Sequence, residues 1–183
     1  MNPILPAKIF LTKGSGQHKE KLVSFEKALR EAGISPFNLV RVSSILPPGC
    51  ELIAAEKGLK LLSPGQVVFL VMSENATNEG ERLISASIGM AVPKGRKSYG
   101  YLAEHEGFGQ TERDAGRYTE DLAAEMLATK LGRKFNPRKA QGTNGRTYRL
   151  SSTLSITTRS TTQIAKGSEG VWTTVIAAAV FVT

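Results

Sequence analysis

Apolar residues in this chain occur in runs that suit buried strands and are too short for a membrane span. The longest run, residues 175–182, has eight residues, and residues 67–72 form a second fully apolar run. Runs of four to eight apolar residues are typical of buried strands, whereas a membrane-spanning helix needs about 20. We therefore expect a protein built around buried strands, without a transmembrane helix.

Two longer segments show helical periodicity instead. In residues 19–32 and 111–131, apolar side chains recur at spacings of three and four, and Gly33 or Gly132 follows. This pattern predicts two amphipathic helices that end at these glycines. Further strands are predicted at residues 8–12, 38–45, 83–92, 100–104, 147–158 and 171–182, with turns at residues 14–16 and 75–80. The 183 residues therefore predict a single mixed α/β domain with helices on the outer faces of sheets.

The charge of the chain is positive and unevenly distributed. Twenty-four Lys and Arg face 16 Asp and Glu, for a net charge of +8, and residues 133–159 hold seven basic residues and no acid. Such a stretch fits a solvated loop and an exposed strand face, and contact with nucleic acid is the alternative. The N-terminus carries two prolines where a secretion signal needs an apolar run, so we expect a cytoplasmic protein.

Common catalytic and metal-binding motifs do not occur in the sequence. One cysteine, Cys50, excludes an internal disulfide, and two histidines make a histidine-rich metal centre improbable, so we expect no metal. A phosphate-binding glycine loop, a zinc-protease motif and a nucleophile elbow are all missing. We interpret Cys50, which follows Pro-Pro-Gly, as a buried or half-buried thiol that nothing marks as reactive.

Residues 38–48 hold the most informative pattern, because a β-branched strand passes into two serines and then a rigid Pro-Pro. Two adjacent serines at a strand end are ordinarily without function. A chemical alternative is that the Ser44 hydroxyl attacks the Ser43 carbonyl and an ester replaces the amide. β-Elimination then releases Ser43 as a new C-terminus, and hydrolysis of the dehydroalanine at position 44 leaves a pyruvoyl group.

Three stretches of the sequence resemble the pyruvoyl-dependent arginine decarboxylases. They are residues 24–34, residues 38–48 with NLVRVSSILPP, and residues 86–107 with AVPK and EHEG. The resemblance implies a four-layer α/β/β/α sandwich that self-cleaves into a β chain, residues 1–43, and an α chain, residues 44–183. It also implies trimers, sometimes paired into hexamers, with sites between neighbouring subunits.

The resemblance further assigns site residues. It makes Ser44 the source of the pyruvoyl cofactor, Glu104 the catalytic acid, and Asn38 the residue that assists processing or positions the reacting carbonyl. Glu26 stands where the family places an aspartate that meets the substrate guanidinium, so it is one methylene longer. Glu26 and the new Ser43 carboxylate are the predicted ligands of that planar cation, because it accepts bidentate partners.

These assignments predict conversion of L-arginine to agmatine and CO₂. The pyruvoyl carbonyl, in place of pyridoxal phosphate, forms a Schiff base with the substrate amine and accepts electrons as CO₂ leaves. Glu104 then protonates Cα. We interpret His105 as structural, because it points away from Glu104 along a strand, and Arg41 as a packing or interface arginine.

Other interpretations of the sequence stay open. The chain could decarboxylate another amino acid such as histidine, although Glu26 favours a cationic side chain. An unprocessed nucleic-acid-binding module that uses residues 133–159 is the alternative from a different class, and an inactive, uncleaved homologue is a further one. In none of these hypotheses does the chain contact a membrane.

Overall fold

The computed structural model describes residues 4–95, 98–140, 147–152 and 154–183, and residues 141–146 of the basic loop lie outside this description. Its ten strands and four helices follow the chain in mixed order, which confirms the α/β prediction. They are β1 Lys8–His18, α1 Lys21–Glu31, β2 Asn38–Arg41, β3 Ile45–Leu46, β4 Glu51–Leu52, α2 Ala55–Leu59, β5 Val67–Thr77, β6 Leu83–Pro93, β7 Gly100–Phe108, α3 Glu112–Lys130, α4 Pro137–Ala140, β8 Thr147–Arg149, β9 Ser155–Lys166 and β10 Trp172–Val182.

The strands form two five-stranded sheets. The first sheet has the order β2-β5-β10-β1-β4, and β1 pairs antiparallel with β10 from Lys8 opposite Val182 to His18 opposite Trp172. The second sheet has the order β3-β7-β6-β9-β8. The N-terminal and C-terminal strands are therefore neighbours at the centre of the first sheet.

The packing of strand β10 explains why its residues 175–182 are all apolar. Val175, Ala177 and Ala179 belong to a core cluster shared with Ile88 of the second sheet. The alternate residues Ile176, Ala178 and Val180 belong to a cluster with Ala28 of α1. Successive strand residues point to opposite faces, so β10 is buried on both of them. A third cluster joins the second sheet to α3 through Ala103, Ala123 and Leu127, among others.

The predicted turn at residues 14–16 is wrong, because β1 continues through it to His18. Gly14 and Gly16 allow close contact with α1 and do not form a turn. A Cβ atom on Gly14 would lie 2.2 Å from the Ala28 carbonyl oxygen, and one on Gly16 would lie 2.2 Å from the Ser24 carbonyl oxygen. Because Gly14 and Gly16 carry no side chains, α1 packs directly against the sheet. This packing requirement cannot be inferred from the local sequence.

Three further boundaries differ from prediction. Strand β5 runs to Thr77, so residues 75–77 belong to a strand rather than to the turn predicted at residues 75–80. Residues 147–158 form two paired strands, β8 and β9, instead of one. Residues 38–45 also divide, because β2 pairs with β5 of the first sheet and β3 pairs with β7 of the second. The chain thus passes from one sheet to the other at residues 42–44.

Candidate active site

The Ser43–Ser44 peptide lies in the crossover between the two sheets. On its N-terminal side, the Val42 N–H donates to the Leu70 carbonyl of the first sheet over 3.0 Å. On its C-terminal side, the Leu102 N–H of the second sheet donates to the Ser44 carbonyl over 2.9 Å. Hydrogen bonds to different sheets therefore hold the two ends of this short segment.

A tight turn surrounds Ser44. The Ile45 N–H donates to the Ser43 carbonyl oxygen over 2.9 Å, which closes a three-residue turn with Ser44 at its centre. The Ser44 hydroxyl donates to Oε2 of Glu104 over 3.1 Å. Ser44 is half-buried, while Ser43 and Glu104 are exposed. The structure thus brings together three of the predicted site residues, namely the two serines and Glu104.

Glu104 lies on the face of β7 that looks toward the first sheet. It is paired with Ile88 of β6, whose side chain belongs to the core between the sheets. Glu106 follows on the same face, and its Oε1 lies 3.5 Å from the hydroxyl of Ser73 on β5. His105 points to the opposite face, where its Nε2 contacts Oε1 of Gln110 over 2.7 Å.

Ser73, which no sequence motif indicates, links the sheets directly beside Glu104. Its buried hydroxyl donates to the His105 carbonyl over 2.8 Å and accepts from the Ser87 N–H over 3.3 Å. Ser87 and His105 are paired residues of β6 and β7, so a hydroxyl of the first sheet bridges a rung of the second. Ser73 directly follows the apolar run 67–72, and nothing in the local sequence distinguishes it.

Two predicted site residues lie away from Ser44 within the chain. Asn38 is at the far end of β2, and its side-chain amide donates to the Gly65 carbonyl over 2.7 Å. Glu26 lies on α1, where its Oε1 accepts from Nε of Arg30 over 2.5 Å. A role for either residue at Ser44 therefore requires a rearrangement or a neighbouring copy of the chain.

The remaining candidates have clear surroundings. The guanidinium of Arg41 forms an ion pair with Glu74 over 2.7 Å and also donates to the Met72 carbonyl over 3.3 Å. Cys50 is buried in the core between the sheets, as predicted. Within the described residues, no three His, Cys, Asp or Glu side chains group as a metal site needs, and no helix is long and apolar enough to cross a membrane.

Fold and site together define a mixed α/β protein in which a serine pair at the sheet crossover faces a strand carboxylate. The chain belongs to the pyruvoyl-dependent arginine decarboxylase family, which it matches over residues 8–183. It is 54% identical over 176 residues to a probable pyruvoyl-dependent arginine decarboxylase of Chlorobium limicola, covering 96% of this chain and 97% of that protein. It is 51% identical over 179 residues to the pyruvoyl-dependent arginine decarboxylase of Methanococcoides burtonii, covering 98% and 99%. The resemblance noted in the sequence is confirmed.

Proposed function

We propose that this chain cleaves itself between Ser43 and Ser44 and then converts L-arginine to agmatine and CO₂. The observation that carries the proposal is the 3.1 Å contact between the Ser44 hydroxyl and Glu104 at the sheet crossover. A carboxylate at hydrogen-bond distance from a hydroxyl is the arrangement that activates a weak nucleophile. The family relationship supplies the substrate class.

Every step of the self-cleavage except the last uses only groups of the chain itself, and the last step consumes one water. Glu104 takes the proton of the Ser44 Oγ, which attacks the Ser43 carbonyl carbon, and the 43–44 C–N bond breaks as its nitrogen is protonated. Glu104, which has given its proton to that nitrogen, then accepts the Ser44 Cα proton, and the Cβ–Oγ bond breaks to expel Ser43 as a carboxylate. Water then hydrolyses the resulting dehydroalanine, which releases ammonia and leaves the pyruvoyl group.

The surroundings of Ser44 fit a pyruvoyl group. The group is no larger than the serine it replaces, and the Leu102 N–H contacts the carbonyl that processing leaves unchanged. Ser43 is exposed, so the new C-terminus has room to move away. The group supplies the electron sink for loss of CO₂. Glu104, which faces position 44, would deliver the proton that Cα requires.

The guanidinium of arginine needs carboxylate partners, for which we propose Glu26 and the Ser43 carboxylate. Because Glu26 lies on α1, away from Ser44 of its own chain, this assignment places the site between neighbouring copies. Val40, Val42 and Ile45 support such a contact, because they are 39%, 36% and 40% exposed beside the serine pair. We accordingly propose a trimer or hexamer. The role of Asn38 in processing is proposed on the same basis.

The proposed architecture is a single four-layer α/β/β/α domain that consists of residues 1–43 and 44–183 after cleavage. The three core clusters support this layering, with one cluster between the sheets and one beneath each long helix. A cytoplasmic location belongs to the same proposal.

The test is the intact mass of the purified protein under denaturing conditions. We expect two chains, one ending at Ser43 and one beginning at a blocked position 44 with the mass of a pyruvoyl start. A Ser44→Ala variant, which lacks the nucleophile, should give one full-length chain. The cleaved protein should release CO₂ from arginine and not from histidine. A wild-type protein that stays in one piece would overturn the proposal.

A further inference from the structure

Each of the two carbonyls that flank the Ser44 Cα accepts a hydrogen bond from a backbone N–H. The Ser43 carbonyl oxygen accepts from the Ile45 N–H over 2.9 Å, and the Ser44 carbonyl oxygen accepts from the Leu102 N–H over 2.9 Å. The first donor belongs to the turn itself, and the second belongs to β7, two residues before Glu104. The two donors therefore approach Ser44 from different parts of the fold.

We propose that these two N–H groups are the catalytic hydrogen-bond donors of self-cleavage, with Ile45 serving ester formation and Leu102 serving β-elimination. This inference rests on the proposed self-cleavage and adds to it the groups that stabilise the negative charge of each step. Neither group is a side chain, so a scan of side-chain substitutions would not reveal them.

The first step places negative charge on the Ser43 oxygen. When the Ser44 Oγ adds to the Ser43 carbon, the carbonyl π bond opens and its oxygen becomes an oxyanion, with the proton transferred to Glu104. A hydrogen bond to an oxyanion is stronger than one to a carbonyl, so the Ile45 N–H stabilises the transition state more than the starting peptide. Collapse of the oxyanion expels the Ser44 nitrogen and leaves the ester.

The second step places negative charge on the Ser44 oxygen. Loss of the Cα proton forms an enolate that involves the Ser44 carbonyl, and this enolate expels the Ser43 carboxylate from Cβ. The Leu102 N–H donates to that oxygen. The turn donor thus serves one step and the strand donor serves the next.

Within a single chain, the reacting carbonyl is served by a group other than Asn38. The Asn38 amide is bound to the Gly65 carbonyl, and Arg41 lies three residue steps further along the strand, about 10 Å of extended chain. The Ile45 N–H is in place without any movement. If the two donors act as proposed, removal of the Asn38 amide slows cleavage less than removal of the Ile45 N–H.

The test exploits the position of Cys50 directly after Gly49, which allows a synthetic peptide of residues 1–49 to be ligated to recombinant residues 50–183. In one chain the α-hydroxy analogue of isoleucine occupies position 45, so an ester oxygen replaces the N–H. In the matched control the α-hydroxy analogue of valine occupies position 42, which removes the 3.0 Å bond to Leu70 but no bond to a reacting carbonyl. Both chains are refolded beside the unmodified ligated chain, and full-length protein is followed by mass spectrometry.

We expect the position 45 ester to slow the loss of full-length chain by about 10²–10³-fold, the usual cost of removing one oxyanion donor. The position 42 control loses one anchor of the segment but no donor to a reacting carbonyl, so it should slow cleavage far less than the position 45 ester does. Circular dichroism verifies that all three chains fold. Equal rates for the position 45 chain and the unmodified chain would overturn the assignment of Ile45. An unmodified chain that never cleaves would instead refute the proposed function.

Leu102 is tested in the same way with its α-hydroxy analogue introduced during translation. We expect the ester at Ser44 to accumulate, so that hydroxylamine releases a fragment that begins with serine at position 44. Its mass distinguishes it from the fragment made by cleavage of the introduced ester before position 102. Formation of the pyruvoyl end at the normal rate, with no trapped ester, would overturn the assignment of Leu102.

Discussion

Helix α1 covers the first sheet over a largely apolar surface, whereas α3 covers the second sheet partly over apolar residues and partly over hydroxyls and a carboxylate. Beneath α1 the contacts come from residues such as Phe10, Ala28 and Ile176. Beneath α3, the Ser87 hydroxyl lies 2.9 Å from that of Thr119 and 2.6 Å from that of Thr162. Both helices approach their sheets closely over glycine, since a Cβ on Gly89 would lie 2.2 Å from the Thr119 carbonyl oxygen.

Glu120 adds a charge to the polar layer. It is 8% exposed, and its two oxygens accept from the hydroxyls of Thr158 over 2.8 Å and Ser160 over 2.7 Å. Apolar contacts tolerate sliding, while hydrogen bonds require defined distances and directions. Directional bonds therefore help to place α3 on the sheet that carries Glu104. Helix α1 is placed mainly by close apolar packing, with one buried hydroxyl pair, Ser24 and Thr174, at 2.6 Å.

The largest expected effect tests the close packing of α1 against the first sheet. In Gly16→Ala the new Cβ would lie 2.2 Å from the Ser24 backbone oxygen, so α1 must move away. We expect a loss of about 3 kcal/mol in the free energy of unfolding, at the upper end of overpacking effects. Urea unfolding in the uncleaved Ser44→Ala background measures it.

Gly116→Ala in α3 is the matched control for that substitution. Its Cβ would meet the hydroxyls of Ser160 and Thr162 at 3.1 Å, and side chains yield where backbone cannot. Alanine also favours a helix interior over glycine by about 1 kcal/mol, so the net change should stay within about 1 kcal/mol. Equal losses for the two variants would show that the clash with the Ser24 backbone oxygen does not limit the position of α1.

A medium effect is expected when the buried carboxylate is replaced. Glu120→Met keeps the approximate volume but removes the acceptor for two hydroxyls, and we expect a loss of about 1–3 kcal/mol in the free energy of unfolding. Glu120→Gln retains acceptor capacity and should lose less. If methionine proves as stable as glutamate, the polar layer does not depend on its carboxylate.

The smallest effect concerns an exposed ion pair that connects the two regions. Nζ of Lys13 on β1 lies 2.5 Å from Oε1 of Glu112 on α3, and the side chains are 41% and 55% exposed. Glu112→Ala should cost no more than about 1 kcal/mol, and high salt should reduce the difference because it screens exposed charges. A salt-independent loss would indicate a packing role for Glu112.

Sequence patterns sufficed where one element decides its own structure. The helical periodicity identified α1 and α3, and the short apolar runs identified β5, β6 and β10. Pairing partners could not be obtained in this way, because periodicity does not state which sheet a strand joins. The division of residues 38–45 between two sheets and the continuation of β1 through Gly14 and Gly16 both arise from tertiary contacts.

The residues of the candidate site also differ in whether the sequence indicates them. The serine pair stood out by its local sequence, and the family resemblance pointed to Glu104, which the fold brings to 3.1 Å from Ser44. Ser73 and the two backbone donors were invisible, since a polar residue in a strand and a main-chain N–H carry no sequence signal. Asn38 and Glu26 were assigned by position in the family, and the single chain does not bring them to Ser44.

Because the serine pair lies between the sheets, the proposed cleavage divides the first sheet between two polypeptides, and unfolding would separate them. Residues 1–43 contribute β1, α1 and β2, and β1 is held between β10 and β4 of the other fragment. The cut removes no ladder pairing, so the folded form should persist. Refolding, however, becomes a second-order reaction between two polypeptides, and its yield should fall on dilution. A precursor that folds before it is cleaved brings both parts together within one chain. We therefore expect efficient assembly when folding precedes cleavage.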